Sequence, residues 1–112
     1  MKLAIIVRKD LCMRTGKVAG QVGHASIAAY RITDSDKRER WYDEGQKKII
    51  LKVANEIALK NIADDAIANK LLVREIRDFG LTQLEPNTLT CISIGPDEDE
   101  KVNRVIKDLP LF

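Results

Sequence analysis

Three side chains that can bind or polarise a substrate recur at helical spacing within residues 16–33. Lys17, Gln21 and His24 follow one another at intervals of four and three residues, so they project from one side of a helix over its first turns. A helix N-terminus also presents free backbone N–H groups and the positive end of the helix dipole, and both attract anions. An ammonium, an amide and an imidazole in this position therefore indicate a site for an anionic group.

Each of these residues also has an ordinary structural explanation. A single histidine on a helix is most often a polar or half-buried residue, and Lys17 alone could be a solvated charge. The Gly16-Lys17 pair does not belong to a phosphate-binding P-loop, because Val18 replaces the required Ser or Thr and no glycine lies five residues before Gly16. Nucleotide hydrolysis of the P-loop type is therefore set aside.

The predicted helix has two further faces. Its buried face is predicted to consist of residues at core-facing intervals, namely Val18, Val22, Ala25, Ala29 and Ile32. A third line is made by Gly16, Gly20, Gly23 and Ile27. Because a glycine inside a helix costs about 1 kcal/mol relative to alanine, this line suggests the close approach of another segment. A second helix or a symmetry mate would fit, so a homodimer is among the partners that we consider.

Length and composition indicate one domain, residues 1–112, with an adequate core. Charged residues make up 32% of the chain, which is ordinary for a soluble globular protein. No apolar run approaches the roughly 20 residues that cross a bilayer, so we expect a cytoplasmic protein without a membrane partner. Cys12 and Cys91 are expected to be reduced thiols that form no zinc site, and Cys12 is only a weak candidate nucleophile.

Positive charge is concentrated in the first half of the chain. Residues 1–60 contain 13 Lys and Arg against 7 Asp and Glu, whereas residues 61–112 contain 6 against 10. The first basic group follows the first predicted strand and comprises Arg8, Lys9, Arg14 and Lys17. The second basic group comprises Lys37, Arg38, Arg40, Lys47, Lys48 and Lys52. A broad basic surface fits RNA better than a small phosphate, although a solvated charged face is an equally good explanation.

Hydrophobic patterns predict the elements that must position these residues. Residues 3–7 are apolar without alternation, as in a central strand covered on both faces. The remaining predictions are strands at residues 48–53, 71–76 and 89–94, a short helix or loop at 34–44, a helix from Asn55 to residue 69, and a last helix starting at Gly95-Pro96. Trp41 is expected to pack on the domain. The order predicts an α/β single domain, with a four-stranded mixed β-sheet and helices on both faces.

In a sheet of this kind, ligands collect in the crevice beyond the carboxyl ends of the strands. The basic connection after the first strand opens there, and the polar loop of residues 77–88 can reach the same crevice. We therefore expect convergence of four side chains that are distant in sequence, namely Lys17, His24, Asp78 and Thr82. The acidic residues 97–100 are best explained as charges at the N-terminus of the last helix, and they need no metal.

Four segments of the sequence together carry a family resemblance. They read VRKDLCMRTGKVAGQVGHA (residues 7–25), GQKK (45–48), IRDFGLTQ (76–83) and IGP (94–96). In this order and at these separations they resemble the type II peptidyl-tRNA hydrolases of archaea and eukaryotes. The resemblance implies hydrolysis of the ester that joins a peptide to tRNA, which returns the tRNA to translation. It implies peptidyl-tRNA as the partner and no cofactor.

The resemblance also shows where this chain departs from the family. Residues that fit the family pattern are Lys17, Gln21, His24, Asp78, Thr82 and Gln83. The family loop commonly reads Asp-Ala-Gly-Arg-Thr-Gln, whereas Phe79 and Leu81 here replace the alanine and the arginine, which removes a phosphate contact. Gly20 stands where alanine is usual. Asn87 replaces a turn glycine, a mild change because asparagine tolerates the left-handed backbone conformation.

The implied chemistry is acyl transfer to water. Lys17 is expected to stabilise the negative charge that develops on the ester carbonyl oxygen. Asp78 would orient or deprotonate the water, with Thr82 holding that water or Asp78 itself. His24 is the competing base, because an unperturbed imidazole titrates nearer to neutrality, and the sequence does not rank the two. The residues expected to bind substrate are Arg8, Lys9, Arg14, Gln21, Gln46, Lys47, Lys48 and Gln83.

Two other functions are compatible with the sequence. A non-catalytic RNA- or protein-binding module could use the same fold, and the missing loop arginine keeps this hypothesis open. A small-molecule esterase is a weaker third hypothesis. Cleavage of a blocked aminoacyl-tRNA, compared with cleavage of free aminoacyl esters, separates the three.

Overall fold

A computed structural model describes residues 1–80 and 84–112. The described residues form strands and helices in the order predicted from the sequence. These elements are β1 (Lys2–Arg8), α1 (Thr15–Ile32), α2 (Ser35–Asp43), β2 (Lys48–Val53), α3 (Glu56–Ala68), β3 (Val73–Arg77), β4 (Leu89–Asp97) and α4 (Asp99–Ile106). The predicted α/β order is therefore confirmed.

The four strands form one mixed sheet in the spatial order β2-β1-β4-β3. β1 pairs in parallel with β2, so that Leu3 lies opposite Lys48, and it pairs antiparallel with β4. β4 in turn pairs antiparallel with β3. The strands β1, β2 and β3 consequently run in the same direction, and their carboxyl ends meet at one edge of the sheet. We call this the carboxyl edge and the opposite one the amino edge.

Helices cover both faces of the sheet, as predicted. Ala4 and Ile6 of β1 belong to a core cluster shared with α3 and α4. Leu3, Ile5 and Val7 point the other way, into a cluster shared with α1 and α2. Alternate residues of β1 are thus buried on opposite faces, which explains why its sequence is apolar without alternation.

The second helix and its tryptophan also agree with the sequence. Asp34 caps α2 by accepting a hydrogen bond from the backbone N–H of Lys37 at 3.1 Å. Trp41 is buried, and its indole N–H donates to the carbonyl oxygen of Lys47 at 2.9 Å. The buried ring and its hydrogen bond tie α2 to the start of β2.

The prediction that Gly95-Pro96 starts the last helix was wrong. Both residues lie in β4, which continues to Asp97 because its end pairs with Lys2 of β1. The backbone of Gly95 has a φ of +92°, which is not helical, and its N–H donates to the carbonyl oxygen of Leu72 at 3.0 Å. The helix α4 begins only at Asp99, after Glu98 as its N-terminal flanking residue.

The faces of α1 differ from the prediction in detail. Val18, Ala25 and Ala29 are buried as expected, whereas Ile32, the last residue of the helix, is 38% exposed. On the glycine line, a Cβ atom at Gly16, Gly20 or Gly23 would meet nothing within 4 Å. No segment of the described chain therefore makes the close approach that these glycines suggested.

Candidate active site

A cleft of about 540 Å³ opens at the carboxyl edge between α1 and β3. Its described lining consists of Lys17, Gln21, His24, Ala28, Glu75, Ile76, Arg77, Asp78 and Phe79. One wall is formed by Lys17, Gln21 and His24, which the helical spacing places on a single side of α1. The other wall is β3 and the residues that follow it, so the expected convergence brings Lys17, His24 and Asp78 into one cleft. Thr82 and Gln83 lie outside the described residues.

The floor of the cleft contains an ion pair between Lys17 and Asp78. The Lys17 ammonium donates a hydrogen bond to Oδ1 of Asp78 across 61 positions of sequence. The Asp78 side chain is 4% exposed and the Lys17 side chain 13% exposed. Removing both charges from water is costly, so such a pair is weak evidence for stability. Its place in a cleft makes it a functional-site candidate instead.

Hydrogen bonds to the two residues that precede β4 hold the backbone of Asp78 in place. Its N–H donates to the carbonyl oxygen of Thr88 at 2.9 Å, and its own carbonyl oxygen accepts from the N–H of Asn87 at 2.7 Å. Asn87 adopts the left-handed conformation at φ +66°, as expected for a residue replacing a turn glycine. The second carboxylate oxygen of Asp78 accepts from the N–H of Gly80 at 3.2 Å. The carboxylate is therefore held in one orientation.

Gln21 and Thr90 form a buried polar contact behind the ion pair. Gln21 is 3% exposed, and its side-chain oxygen accepts a hydrogen bond from the hydroxyl of Thr90. The same hydroxyl lies 3.1 Å from the carbonyl oxygen of Ile76, two residues before Asp78. Sequence reasoning missed Thr90. Its hydroxyl in the mostly apolar strand β4 was the signal that could have identified it, because buried polar groups need partners.

His24 lies further along the cleft and is exposed. It follows Lys17 by seven residues, which corresponds to about 10 Å along a helix axis. Within residues 1–80 and 84–112 its imidazole makes no hydrogen bond. The histidine is thus available to a substrate, but at some distance from the ion pair.

The first basic group contains one structural arginine and two available cations. Arg8 donates to Asp10 at 2.8 Å and to the carbonyl oxygen of Leu89 at 3.0 Å, with Glu56 at 3.7 Å. The hydrogen bond to Asp10 raises the pKa of the Arg8 guanidinium above its usual range. Lys9 and Arg14 are exposed, and their side chains make no ion pair with any described residue. Within the first basic group, these two can meet an anionic partner without breaking an ion pair with a residue that the structure describes.

The second basic group lies at the amino edge, where Lys48 begins β2, except for Lys52, which lies near the carboxyl end of the same strand. β1 spans seven residues from this edge to the other, about 20 Å at 3.3 Å per residue. Gln46, Lys47 and Lys48 are therefore separated from the cleft by the length of the sheet. The structure does not bring these predicted substrate-binding residues together with Lys17 and Asp78.

Acidic residues at or next to the start of α4 form ion pairs with three of the six residues of this second group. The ion pairs join Lys37 to Asp97 at 2.9 Å, Lys47 to Asp99 at 3.2 Å, and Arg40 to Glu98 and Glu44. Burial alone would raise the pKa of Asp97, but the hydrogen bond from Lys37 and further favourable charges lower it below its usual value. We use the name paired cluster for the residues joined by these ion pairs, namely Lys37, Arg40, Glu44, Lys47, Asp97, Glu98 and Asp99. Part of the positive charge counted in the sequence is thus neutralised within the protein.

Neither cysteine is among the residues that line the cleft. Burial raises the pKa of the Cys91 thiol to about 12, so it stays protonated at neutral pH. Cys12 is exposed and outside the cleft lining. Among the described residues, no group of three His, Cys, Asp or Glu side chains is placed to hold a metal ion. No helix among them is long and apolar enough to span a membrane.

An ammonium held by a buried carboxylate, at the floor of a cleft on an α/β sheet, is suited to hydrolysis of a carbonyl compound by water. Comparison with known proteins is consistent with this class. The family model described as Peptidyl-tRNA hydrolase PTH2 matches residues 1–112. The chain belongs to this family.

Several archaeal relatives match along the full chain. A protein of Haloquadratum walsbyi named peptidyl-tRNA hydrolase is 46% identical over 100% of both chains. Proteins with the same name from Methanothermobacter thermautotrophicus and Nanoarchaeum equitans are 43% and 42% identical, over 100% and 96% of each chain. The resemblance found in the sequence is confirmed.

Proposed function

We propose that this protein hydrolyses the ester bond between peptide and tRNA in peptidyl-tRNA and so releases tRNA for reuse in translation. The observation that carries the proposal is the buried Lys17–Asp78 pair in the cleft at the carboxyl edge. The chain's family and its relatives are named peptidyl-tRNA hydrolase. Because the substrate arises in translation, we place the reaction in the cytoplasm.

Lys17 is the electrostatic stabiliser in this mechanism. When water attacks the ester, negative charge develops on the carbonyl oxygen. The Lys17 ammonium projects from the first turns of α1, so the positive end of the helix dipole adds to its charge. Asp78 holds the ammonium in place before the substrate arrives, and therefore little reorganisation is needed during the reaction.

Asp78 is favoured over His24 as the group that orients and deprotonates the water. A general base must come within about 3 Å of the proton that it removes. A carbonyl oxygen held by Lys17 places the attacking water near Asp78, whereas His24 lies two helical turns further along α1. We therefore assign His24 to contact with the substrate. Thr82 remains the predicted partner of the water or of Asp78.

The tRNA is proposed to reach the cleft along the carboxyl edge. Arg14 directly precedes α1, about one turn before Lys17, and Lys9 follows β1. Both cations are unpaired among the described residues and can contact phosphates, whereas Arg8 is held inside the protein. Gln21 is proposed to act from behind the ion pair, and Gln83 keeps its predicted substrate contact. Gln46, Lys47 and Lys48 would contact a more distant part of the tRNA.

The glycine line of α1 is uncovered within the described chain, so we retain a homodimer as a proposal. A second copy packed there would bury Ile27, which is 64% exposed. Sedimentation of the wild-type protein and an Ile27→Lys variant tests this. If both samples sediment as monomers, the homodimer proposal is wrong.

Hydrolysis of an N-blocked aminoacyl-tRNA by the purified protein tests the proposed function. Release of the blocked amino acid should follow enzyme concentration and should fail with the Asp78→Asn variant. Free aminoacyl esters of the same amino acid serve as the second substrate and should react far more slowly. Binding of tRNA without cleavage would instead identify a non-catalytic module, and equal rates on both substrates would identify a general esterase.

A further inference from the structure

Phe79 is the most exposed large hydrophobic side chain that the structure describes, at 88%. It directly follows Asp78 and lines the same cleft. A single exposed hydrophobic residue is common on protein surfaces. This one, however, leaves an aromatic ring in water at the entrance to a candidate active site, beside apolar lining from Ala28 and Ile76.

The backbone on both sides of Phe79 is held in place. Asp78 is hydrogen-bonded to the residues before β4 through its N–H and carbonyl oxygen. Gly80 has a φ of +83°, and a Cβ atom at this position would lie 2.6 Å from Cγ of Pro86. Glycine is needed here because the backbone packs directly on the proline. The ring is therefore presented at the cleft by a fixed backbone.

Two parts of a peptidyl-tRNA can come this close to Asp78. Neighbouring Cα atoms are 3.8 Å apart, so a group touching Phe79 lies next to the ester that is held at Asp78. The ester joins the ribose of the terminal adenosine of tRNA to the last residue of the peptide. The group at Phe79 is consequently either the adenine base or the side chain of that residue.

The observations favour the adenine. Every tRNA ends in the same adenosine, whereas the last residue of the peptide varies, and an aromatic ring carried by a fixed backbone suits an invariant base. Bases stack on aromatic side chains in many single-strand-binding proteins. The unpaired cations Lys9 and Arg14 lie at the same edge as Phe79 and can hold the phosphates that precede the terminal nucleotide.

We propose that Phe79 is a stacking surface for the terminal adenine of tRNA and thereby positions the ester against Lys17 and Asp78. This inference rests on the proposed function and deepens it by assigning a positioning residue. It also gives a role to one of the positions at which this chain departs from the family pattern. Affinity from stacking would offset part of what the missing loop arginine removes.

The first experiment measures KM and kcat of Phe79→Ala, Phe79→Leu and Phe79→Trp on blocked aminoacyl-tRNAs that carry glycine, aspartate, leucine or phenylalanine. Stacking of one base changes affinity by roughly 5- to 100-fold. We expect Phe79→Ala to raise KM by a factor in this range, equally for all four substrates, and also to lower kcat, because the ester is then less well positioned against Lys17 and Asp78. The KM of Phe79→Trp should be close to the wild-type value, and the KM of Phe79→Leu should lie between those of the wild type and Phe79→Ala.

Tyr42→Ala is the matched control, because Tyr42 is half exposed on α2, outside the cleft lining. Its KM should equal that of the wild type. A KM effect confined to the leucine and phenylalanine substrates would overturn the proposal and assign Phe79 to the peptide. An unchanged KM in Phe79→Ala would leave Phe79 without a positioning role.

A second experiment does not depend on catalysis. The affinity of the wild-type protein for uncharged tRNA is compared with its affinity for the same tRNA lacking the terminal adenosine. The intact tRNA should bind more tightly by a factor similar to the KM effect, and Phe79→Ala should bind both alike. A difference that persists in Phe79→Ala would refute stacking. Absence of hydrolysis by the wild type would refute only the proposed function.

Discussion

Apart from Lys52, near the carboxyl end of β2, the two basic groups of this protein lie at opposite edges of one sheet and have different surroundings. At the carboxyl edge, Lys9 and Arg14 are exposed and unpaired among the described residues, and Lys17 is held by one buried carboxylate in a cleft. At the amino edge, Lys37, Arg40 and Lys47 each contact an acid at or next to the start of α4.

This difference shows that the number of cations in a segment does not measure the charge offered to a partner. A cation already paired within the protein must lose that contact before it can contact a phosphate, whereas an unpaired one loses only hydration. We therefore expect catalysis and tRNA binding to depend on the carboxyl edge, and stability to depend on the paired cluster.

Breaking the buried ion pair should have the largest effect. Lys17→Ala and Asp78→Asn are each expected to lower kcat by at least ~10²-fold, a loss typical of removing a charge stabiliser or a general base. Steady-state hydrolysis of a blocked aminoacyl-tRNA measures this. Lys107→Ala and Asp64→Asn, at exposed residues directly after α4 and on α3, are the matched controls. Rates near the wild type in either active-site variant would contradict the assignment.

His24→Ala should have a smaller effect on activity. Loss of one hydrogen bond to the substrate corresponds to about a tenfold change or less. The pH profile of kcat/KM should keep its shape, because His24 is assigned to substrate contact. The rate is measured over a range of pH for the wild type and the variant. Loss of an ionisation step from the profile would identify His24 as the base.

The Asp97→Asn variant tests how much the paired cluster contributes to the free energy of unfolding. The Asp97 carboxylate is buried, accepts hydrogen bonds from Lys37 and the N–H of Glu98, and has a lowered pKa. A lowered pKa means that its stabilisation is complete above its ordinary pKa and disappears as the pH falls through the folded-state value. We expect the variant to lose about 1–2 kcal/mol of unfolding free energy at neutral pH.

The difference between Asp97→Asn and the wild type should vanish once the pH falls below the lowered folded-state pKa of Asp97, where the carboxyl is protonated in both folded and unfolded states. Urea denaturation at several pH values measures it. Asp64→Asn, an exposed carboxylate on α3, should show little effect at any of them. A difference that persisted in acid would show that the charge of Asp97 is not its source.

Replacing both Lys9 and Arg14 by alanine tests the unpaired cations. Each phosphate contact contributes about 0.7 to 0.9 to the slope of log affinity against log salt. The double variant should therefore reduce the steepness of this slope by about 1 to 2 and weaken all tRNAs alike. Affinities for several tRNAs over a salt series provide the measurement. Arg104→Ala with Lys107→Ala is the control, and a slope unchanged by the first pair would exclude phosphate contacts there.

Replacing Lys47 and Lys48 by alanine should have the smallest effect on tRNA binding. Lys47 contacts Asp99, and the Lys48 ammonium lies 5.2 Å from the Trp41 ring. We expect the slope to change by less than about 1, because such cations contribute only after losing these contacts. A change as large as that for Lys9 and Arg14 would place the tRNA across both edges. The comparison of the two edges would then fail.

The sequence by itself determined the order of the elements and the members of one cleft wall. The apolar run of β1, the cap Asn55, and the three- and four-residue spacing along α1 depend on neighbouring residues, so local patterns suffice to predict them. The family resemblance likewise follows from the order and separation of short segments. The structure confirms the order of the elements, and the family comparison confirms the resemblance.

Only the tertiary structure decided which distant side chains meet. The Lys17–Asp78 pair, the buried contact of Gln21 with Thr90 and the pairing of Lys37 with Asp97 each join residues about 60 or more positions apart. The continuation of β4 through Gly95-Pro96 likewise depends on pairing with β1 at the other end of the chain. Contacts of this kind depend on the order of strands in the sheet and on desolvation at the site, neither of which is encoded in any local segment.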